Sequence, residues 1–409
     1  MAKGVYVGVS SKARKVKSIY VGVSNKARKV KKVYVGVNGI ARLSYSGNAE
    51  LKYKKRSTLT LTDAASKLTG TGLSSYGFFA GGTNLKAGDS SYISNVHKFN
   101  SSLSWSVLTP LQKGRFVLSS TSTSSYAIFA GGHEFDTSYM RMAKSNKVDA
   151  YNTAGSRTIC TNLSYGLGEM KATTIGDTAL FGGGYDTSYD QSYVYAYNNS
   201  LTNVNVTSLY AKTRYGRNGI GAASNNNYAI FITGYSSSST ASAKKVNAYN
   251  SSLTRNISLT MPDTYIYAAA KINNKVLLCA SYSSNPMYRG TNTIYIDDNL
   301  SMTTLSSNGN FYDRYEQTGI SVNYQGNAYA LFVGGALYNY GSSTTYPATN
   351  GVEVYNSDLS KSYNSIQDAR LFHAAFSFDK YAVVFGGVKS YNSSSNSDVY
   401  YSMEVFEVS

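Results

Sequence analysis

The pattern of apolar and polar positions along the chain is that of short strands, in two repeat systems of different period. In the first, Val5, Val7 and Val9 alternate with Tyr6 and Gly8, and Tyr-Val-Gly-Val recurs at Tyr6, Tyr20 and Tyr34, every 14 residues. A Lys-Ala-Arg or Ile-Ala-Arg triplet follows each copy at positions 12, 26 and 40, and Ser-Ser, Ser-Asn or Asn-Gly supplies a turn between. A period of two broken by a turn predicts a small β-hairpin per unit. Two strands bury little surface on their own, so the three units are expected to gain stability from a partner or from copies of the chain.

The second system fills the rest. Its landmark is a Tyr-Ala-Ile-Phe-x-Gly-Gly type strand at Tyr76 to Gly82, Tyr126 to Gly132, Thr178 to Gly184, Tyr228 to Gly234, Lys275 to Ser281, Tyr329 to Gly335 and Tyr381 to Gly387. Six steps separate Tyr76 from Tyr381, a mean period of about 51 residues. After each landmark comes a strand of the form Val-x-Ala-Tyr-Asn-x-x-Leu, at Val96, Val148, Val194, Val246, Ile294, Val352 and, as Met403 to Phe406, at the end. Its Asn-Ser-Ser ending is a turn signal. Two weaker strands, such as Ser104 to Leu108 and Phe116 to Ser120, complete four per unit, the content of a propeller blade. The chain stops after the third strand of the seventh unit, while Ser57 to Thr62 stands alone ahead of the first. That orphan strand is expected to become the outer strand of the last blade and so remove an open edge.

Residues 57–409 thereby resemble the kelch-repeat family, in the Gly-Gly pair and the aromatic residue of the following strand. The usual tryptophan after the third strand is missing, since Trp105 is the only one, and unit five carries Cys279-Ala280-Ser281 in place of glycines. The resemblance implies an all-β fold: a seven-bladed kelch-like β-propeller closed by an N-terminal strand and preceded by a small β-repeat tag. The expected domains are the tag at 1–45, a linker at 46–56 and the propeller at 57–409.

Charge separates the two systems. Residues 1–56 hold 15 basic residues against Glu50 alone, which places +14 of the net +17 on the tag side and +3 on the rest. Lys12, Arg14, Lys15, Lys26, Arg28 and Lys29 could neutralise phosphates. The strict spacing and the lack of a nucleic-acid-binding fold instead favour a structural tag, with Tyr6, Tyr20, Tyr34, Arg14, Arg28 and Arg42 as attachment residues. The repeated phrase also resembles N-terminal segments of tail and other virion proteins of phages that infect Firmicutes. This likeness covers about the first 45 residues and implies attachment to a particle with the propeller displayed outward.

Chemistry-bearing patterns are sparse. Cys160 and Cys279 lack metal-ligand spacing, and neither a Gly-x-Ser-x-Gly elbow nor a phosphate loop occurs. The kelch fold also carries galactose oxidase, whose copper site needs several His and Tyr ligands and a cross-linked cysteine. Only His97, His133 and His373 exist here, and each reads as an ordinary core or surface histidine. The protein is therefore expected not to be an enzyme and to need no cofactor and no metal. The start has no signal-peptide core and nothing approaches about 18 uninterrupted apolar residues, so membrane insertion is not expected.

Binding chemistry is read from the loops after the Gly-Gly strands, whose Tyr, Ser, Asn and Gly mixture is that of a paratope. Candidate contacts are Phe135, Asp136, Tyr139, Tyr185, Asp186, Tyr189, Tyr282, Tyr288, Tyr338, Tyr340 and Tyr391. The first six form a paired Phe/Tyr-Asp-Thr-Ser-Tyr motif, for which a duplicated turn is the plainer explanation. The expected function is that of a phage virion structural protein, a tail fibre, tip or decoration component. Its expected partners are virion or tail proteins, or its own copies, through residues 1–56, and a host-surface glycan or protein through the loops. The alternative is a non-enzymatic bacterial kelch protein that binds carbohydrate or acts as a scaffold.

Overall fold

In a computed structural model of the chain, the structure describes residues 6–9, 12–15, 20–23, 26–29, 32–37, 40–46, 50–57, 66–84, 92–138, 141–186, 191–210, 221–232, 245–262, 265–281, 291–305, 314–315, 317–337, 345–392 and 399–409. Among these every regular element is a strand. Two compact units result, residues 1–52 with 407–409 and residues 53–406.

In the first unit the three 14-residue repeats are antiparallel hairpins: Tyr6–Val9 with Lys12–Lys15, Tyr20–Val23 with Lys26–Lys29, and Lys32–Val37 with Ile40–Ser46. The first two share one register, Tyr6 opposite Lys15 and Tyr20 opposite Lys29. The third is longer and has a bulge between Val33 and Tyr34.

The larger unit is built from four-stranded antiparallel sheets, of which seven occur among the described residues, in a propeller-like all-β arrangement. Sheet I comprises Thr69–Leu73, Tyr76–Ala80, Val96–Phe99 and Trp105–Val107, its strands A to D. Sheet II repeats this with Ser119–Ser122, Tyr126–Ala130, Val148–Asn152 and Arg157–Ile159. The A and B strands of sheets III to VII are Lys171–Ile175 and Thr178–Gly182, Gly221–Ser224 and Ala229–Ile232, Tyr265–Ile272 and Lys275–Ser281, Thr318–Tyr324 and Asn327–Val333, and Ala374–Phe378 and Tyr381–Phe385. Each predicted Gly-Gly strand is a B strand. Each predicted Val-x-Ala-Tyr strand is a C strand.

Burial explains the order. B strands are buried on both faces, so they read as unbroken apolar runs such as Ala127-Ile128-Phe129-Ala130. A strands alternate half-buried with buried residues, and the D strands of sheets I, II and VI are largely exposed. Consecutive sheets share apolar cores, and an edge-to-face pair recurs in several, Phe129 with Tyr151 at 5.9 Å and Phe231 with Tyr249 at 6.0 Å. The tyrosine hydroxyl then donates to a carbonyl of the preceding sheet's outer loop, Tyr151 to Thr109 at 2.9 Å and Tyr249 to Thr207 at 2.7 Å.

The A strands of neighbouring sheets pack on one another in the order I, II, III, IV, V, VI, VII, and that of VII packs on that of I. Side-chain hydroxyls stitch them, Thr69 to Ser120 and Thr121 to Thr174, each at 2.7 Å. At one register position these strands carry Gly72, Ser122, Thr174, Ser224, Lys271, Ser321 and Ser377, all half-buried. Six of the seven are small. Lys271 breaks the pattern.

The outer strand of sheet VII is Leu51–Ser57, paired with Met403–Val408, so the expected clasp at Ser57–Thr62 lies six residues too late. Residues 58–62 fall outside the described set, and residues 51–56 are strand and not linker. Leu51-Lys52-Tyr53-Lys54 alternates half-buried with exposed, the pattern of an edge strand whose lysines face water. Short extra strands decorate the B–C end: Arg115–Phe116 pairs with His133–Asp136, which pairs with Arg141–Lys144, and Thr345–Pro347 pairs with Ser390–Asn392.

The Gly-Gly pair is a docking point between sheets. Gly131 sits at φ +64, and its Cβ would lie 2.3 Å from the Leu167 oxygen and 2.6 Å from Met170 Cε. Gly132 donates its N–H to that same oxygen at 2.8 Å. Gly131→Ala is therefore expected to cost about 2–4 kcal/mol in urea unfolding, from left-handed strain plus a clash with backbone. Gly176, at φ +55 with nothing within 4 Å of its Cβ, should lose only about 1 kcal/mol on the same change. Equal losses at the two positions would show that the contact with Leu167 carries no weight.

Candidate functional site

The site is assembled where the connections between sheets meet the loops after the B strands. Among the described residues, four connections end in a residue with positive φ just before the next A strand: Lys67 at 57°, Val117 at 53°, Glu169 at 61° and Phe372 at 53°. That conformation turns three of the N–H groups onto the carbonyl of a counterpart one sheet away, Lys67 to Phe372 at 2.8 Å, Val117 to Lys67 at 2.9 Å and Glu169 to Val117 at 3.2 Å. It also explains why the expected strand from Phe116 begins only at Ser119.

Beneath these connections, among the described residues, three buried arginines sit in one repeated socket. Arg115 donates to the carbonyls of Gly131 and Lys147 and pairs with Asp149. Arg314 does so with Gly334, Gly351 and Glu353, and Arg370 with Gly386, Ser402 and Glu404. Burial pulls the Arg115 and Arg370 guanidinium groups below their ordinary value, and the facing carboxylates oppose that shift. With every partner inside the protein, the socket fixes loops and is not itself open to a ligand.

Above it, aromatic and cationic groups from three consecutive sheets form one cluster. Phe116 lies 5.0 Å from Tyr92 and 4.8 Å from the His133 ring, and Tyr92 lies 6.2 Å from Phe135. Lys144 Nζ donates to His133 Nε2 at 2.7 Å and sits 3.9 Å from the centre of the Tyr185 ring. Lys67 Nζ stands 5.0 Å from the Phe372 ring and 5.8 Å from Phe116. Tyr92, Phe135, Lys144 and Tyr185 are half-buried, each presenting part of its surface, and Met142 beside them is exposed. A rigid aromatic shelf with two ammonium groups suits the apolar face of a sugar ring, an aromatic side chain or an anion.

Of the expected contact residues, Phe135 and Tyr185 thus come together, joined through His133 and Lys144. The two aspartates serve their own loops: Asp136 accepts from the Ser138 N–H at 2.9 Å, and Asp186 accepts from Gln191 Nε2 at 2.6 Å. For Asp136 the turn explanation of the motif is the one that fits. Tyr139, Tyr189, Tyr282, Tyr288, Tyr338 and Tyr340 lie outside the described residues; Tyr391 is in a strand opposite Tyr346. Tyr6, Tyr20, Tyr34, Arg14, Arg28 and Arg42 all lie on hairpin strands, Arg14 opposite Val7, Arg28 opposite Val21 and Arg42 opposite Val35. Tyr92, Phe116, His133 and Lys144 were not among the contact residues expected from the sequence, and His133 was read there as an ordinary histidine. The one available signal was that His133 directly follows a Gly-Gly pair.

Among the described residues no group of three or more His, Cys, Asp or Glu side chains could hold a metal, and no helix is long and apolar enough to cross a membrane. No family model matches the chain, and no curated protein matches it. A solved structure titled "Structure of YjhT" aligns with 84% of this chain and 96% of its own at 12% identity and a TM-score of 0.48.

Proposed function

We propose that the larger unit is a seven-bladed propeller closed by Leu51–Ser57, and that the protein is a non-enzymatic binding and structural component of a phage virion. The cyclic packing of the seven A strands supports the ring. In this reading the B–C loops contact a host-surface glycan or protein, and the N-terminal hairpins attach the chain to virion or tail proteins by strand pairing. The observation that carries the binding reading is the Tyr92, Phe116, Phe135, His133, Lys144 and Tyr185 cluster, because it gathers aromatic area and charge on loops held by buried sockets. The matching registers of the first two hairpins support attachment by repeated units of one kind. A bacterial kelch protein that binds carbohydrate or acts as a scaffold would use the same cluster without a particle.

Two measurements test this. Binding of the full chain to host envelopes is expected to fall at least about tenfold in Tyr185→Ala and in Lys144→Met, the loss typical of an aromatic or cationic anchor. Wild-type binding by both variants would remove the loop end as the contact surface. Co-sedimentation with particles is expected for the full chain and not for a chain lacking residues 1–46. Particle-free protein in both cases would favour the bacterial reading, and association lost steeply between 50 and 200 mM salt would point to nucleic acid.

A further inference from the structure

The opposite strand ends, where A strands turn into B strands, hold a cavity of about 470 Å³ to which sheets I, V, VI and VII contribute. Its wall includes Lys271, Asn273, Ser321, Asn323, Ser377 and Asp379, with Phe378 and Tyr324 beside them. Neutral hydrogen-bonding groups thus share the wall with apolar ones, Val322, Ala328 and the two aromatic residues. That combination suits a small hydroxyl-rich molecule.

Lys271 gives the cavity its charge preference. It stands where the other A strands carry Gly, Ser or Thr, so one long cation replaces what is elsewhere a small side chain. Its Nζ reaches the Asn225 carbonyl and Asn226 Oδ1, both at 3.3 Å, and these are neutral acceptors at long range. The nearest acid that acts on it through space, Asp298, is engaged by the N–H and side-chain amide of Asn226 at 2.9 and 3.0 Å. Among the described residues no carboxylate lies within ion-pair distance of Nζ. Burial lowers the ammonium's pKa from its ordinary value, the mark of a cation short of compensation. Asp379, at φ 49 on the facing turn, adds a negative charge to the same wall.

We propose that this cavity binds a small hydroxyl-rich molecule bearing one anionic group, with the anion placed at Lys271 and the hydroxyls on the Ser and Asn side chains. The anion compensates the half-buried ammonium, and the neutral wall orients the remainder. A sugar carboxylate and a polyol phosphate share this chemistry.

Calorimetric titration of the full chain with glucuronate, glycerol phosphate and, as the uncharged reference, glucose tests the proposal. At least one anion is expected to bind with a dissociation constant of about 1 mM or below, and glucose at least about tenfold more weakly. Saturation by glucuronate alone would assign a carboxylated sugar, and by glycerol phosphate alone a polyol phosphate. Lys271→Met should weaken the anion at least about tenfold. Asp379→Asn keeps a residue that tolerates positive φ and should tighten the same anion about two- to fivefold by removing a like charge, with glucose unaffected. Because the second variant gains affinity, misfolding cannot imitate it. Failure of both anions to saturate, glucose binding as tightly as either, or an unchanged affinity in Asp379→Asn would each overturn the proposal. None of these outcomes bears on the loop cluster at the other end of the strands.

Discussion

Glu404→Ala is expected to destabilise the protein by about 3–5 kcal/mol in chemical denaturation, because it takes from the buried Arg370 its closer and fully buried carboxylate and leaves only Asp368, at 3.2 Å, against the charge. Both side chains of the pair are completely buried. Glu404 accepts from Arg370 Nη2 at 2.7 Å, from the N–H groups of Gln367 at 2.5 Å and Asp368 at 3.0 Å, and from the Tyr53 hydroxyl at 2.8 Å. Losing the carboxylate therefore strands three neutral donors and weakens the compensation of one cation. Tyr53 ties the outer strand of sheet VII to the same carboxylate, and burial, reinforced by Glu404, pushes its phenol up to about 12. Tyr53→Phe removes one donor and keeps the ring against Phe406, so it should cost about 1 kcal/mol. A Glu404→Ala loss no larger than that of Tyr53→Phe would mean that Arg370 finds water or another acceptor, and the socket would then not be the support of the loop end.

How far the sequence foretells this can be judged at the socket. Its acids stand inside apolar C strands, as Val148-Asp149-Ala150 and Met403-Glu404-Val405, where burial of a charge demands a partner. The partner is harder to see. Arg115 and Arg370 lie 16 residues before the glycine carbonyl they hold, but Arg314 lies 20 before its own. They also sit in connections without periodicity. The B strands were legible for the opposite reason: both faces are buried and Gly-Gly closes five of the seven, so composition alone marks them. The outer strand of sheet VII was expected from this part of the chain but six residues too late. Ser57 to Thr62 alternates Leu with Thr, but Leu51-Lys52-Tyr53-Lys54 alternates too, and Tyr53 is chosen by a tertiary contact with Glu404 that local pattern does not encode. The loop cluster was half legible. Phe135 and Tyr185 stand out because two repeats share a motif, whereas Tyr92, Phe116 and Lys144 join them only through sheet-to-sheet packing.

A histidine in the core supplies the second large effect. His373 occupies the slot filled by Leu118 and Met170 in other sheets, facing a Gly-Gly pair: a Cβ on Gly334 would meet its Cε1 at 2.7 Å, as one on Gly131 would meet Met170. Neither ring nitrogen meets a partner at full hydrogen-bond geometry among the described residues, and the Arg370 backbone opposes the downward shift only in part. Burial first, then the positive charges of Arg370 and Arg314, push the imidazole down to about 3. The unfolded chain takes up a proton near the ordinary value of 6.5 and the native state does not, so stability is fully present above about pH 6.5 and declines as pH falls toward 3. The slope is about 1.4 kcal/mol per pH unit, hence about 2–3 kcal/mol lost at pH 4.5 relative to pH 7.5 from this residue alone. His373→Met fills the slot with the side chain used in sheet III and has nothing to protonate. Urea midpoints of both proteins at the two pH values isolate the residue, since the two chains differ at this position alone. The variant should match or exceed the wild type at pH 7.5 and lead it by about 2–3 kcal/mol more at pH 4.5. Parallel losses in the two proteins would show that the imidazole gains a proton inside the fold, and with it a partner the geometry does not contain.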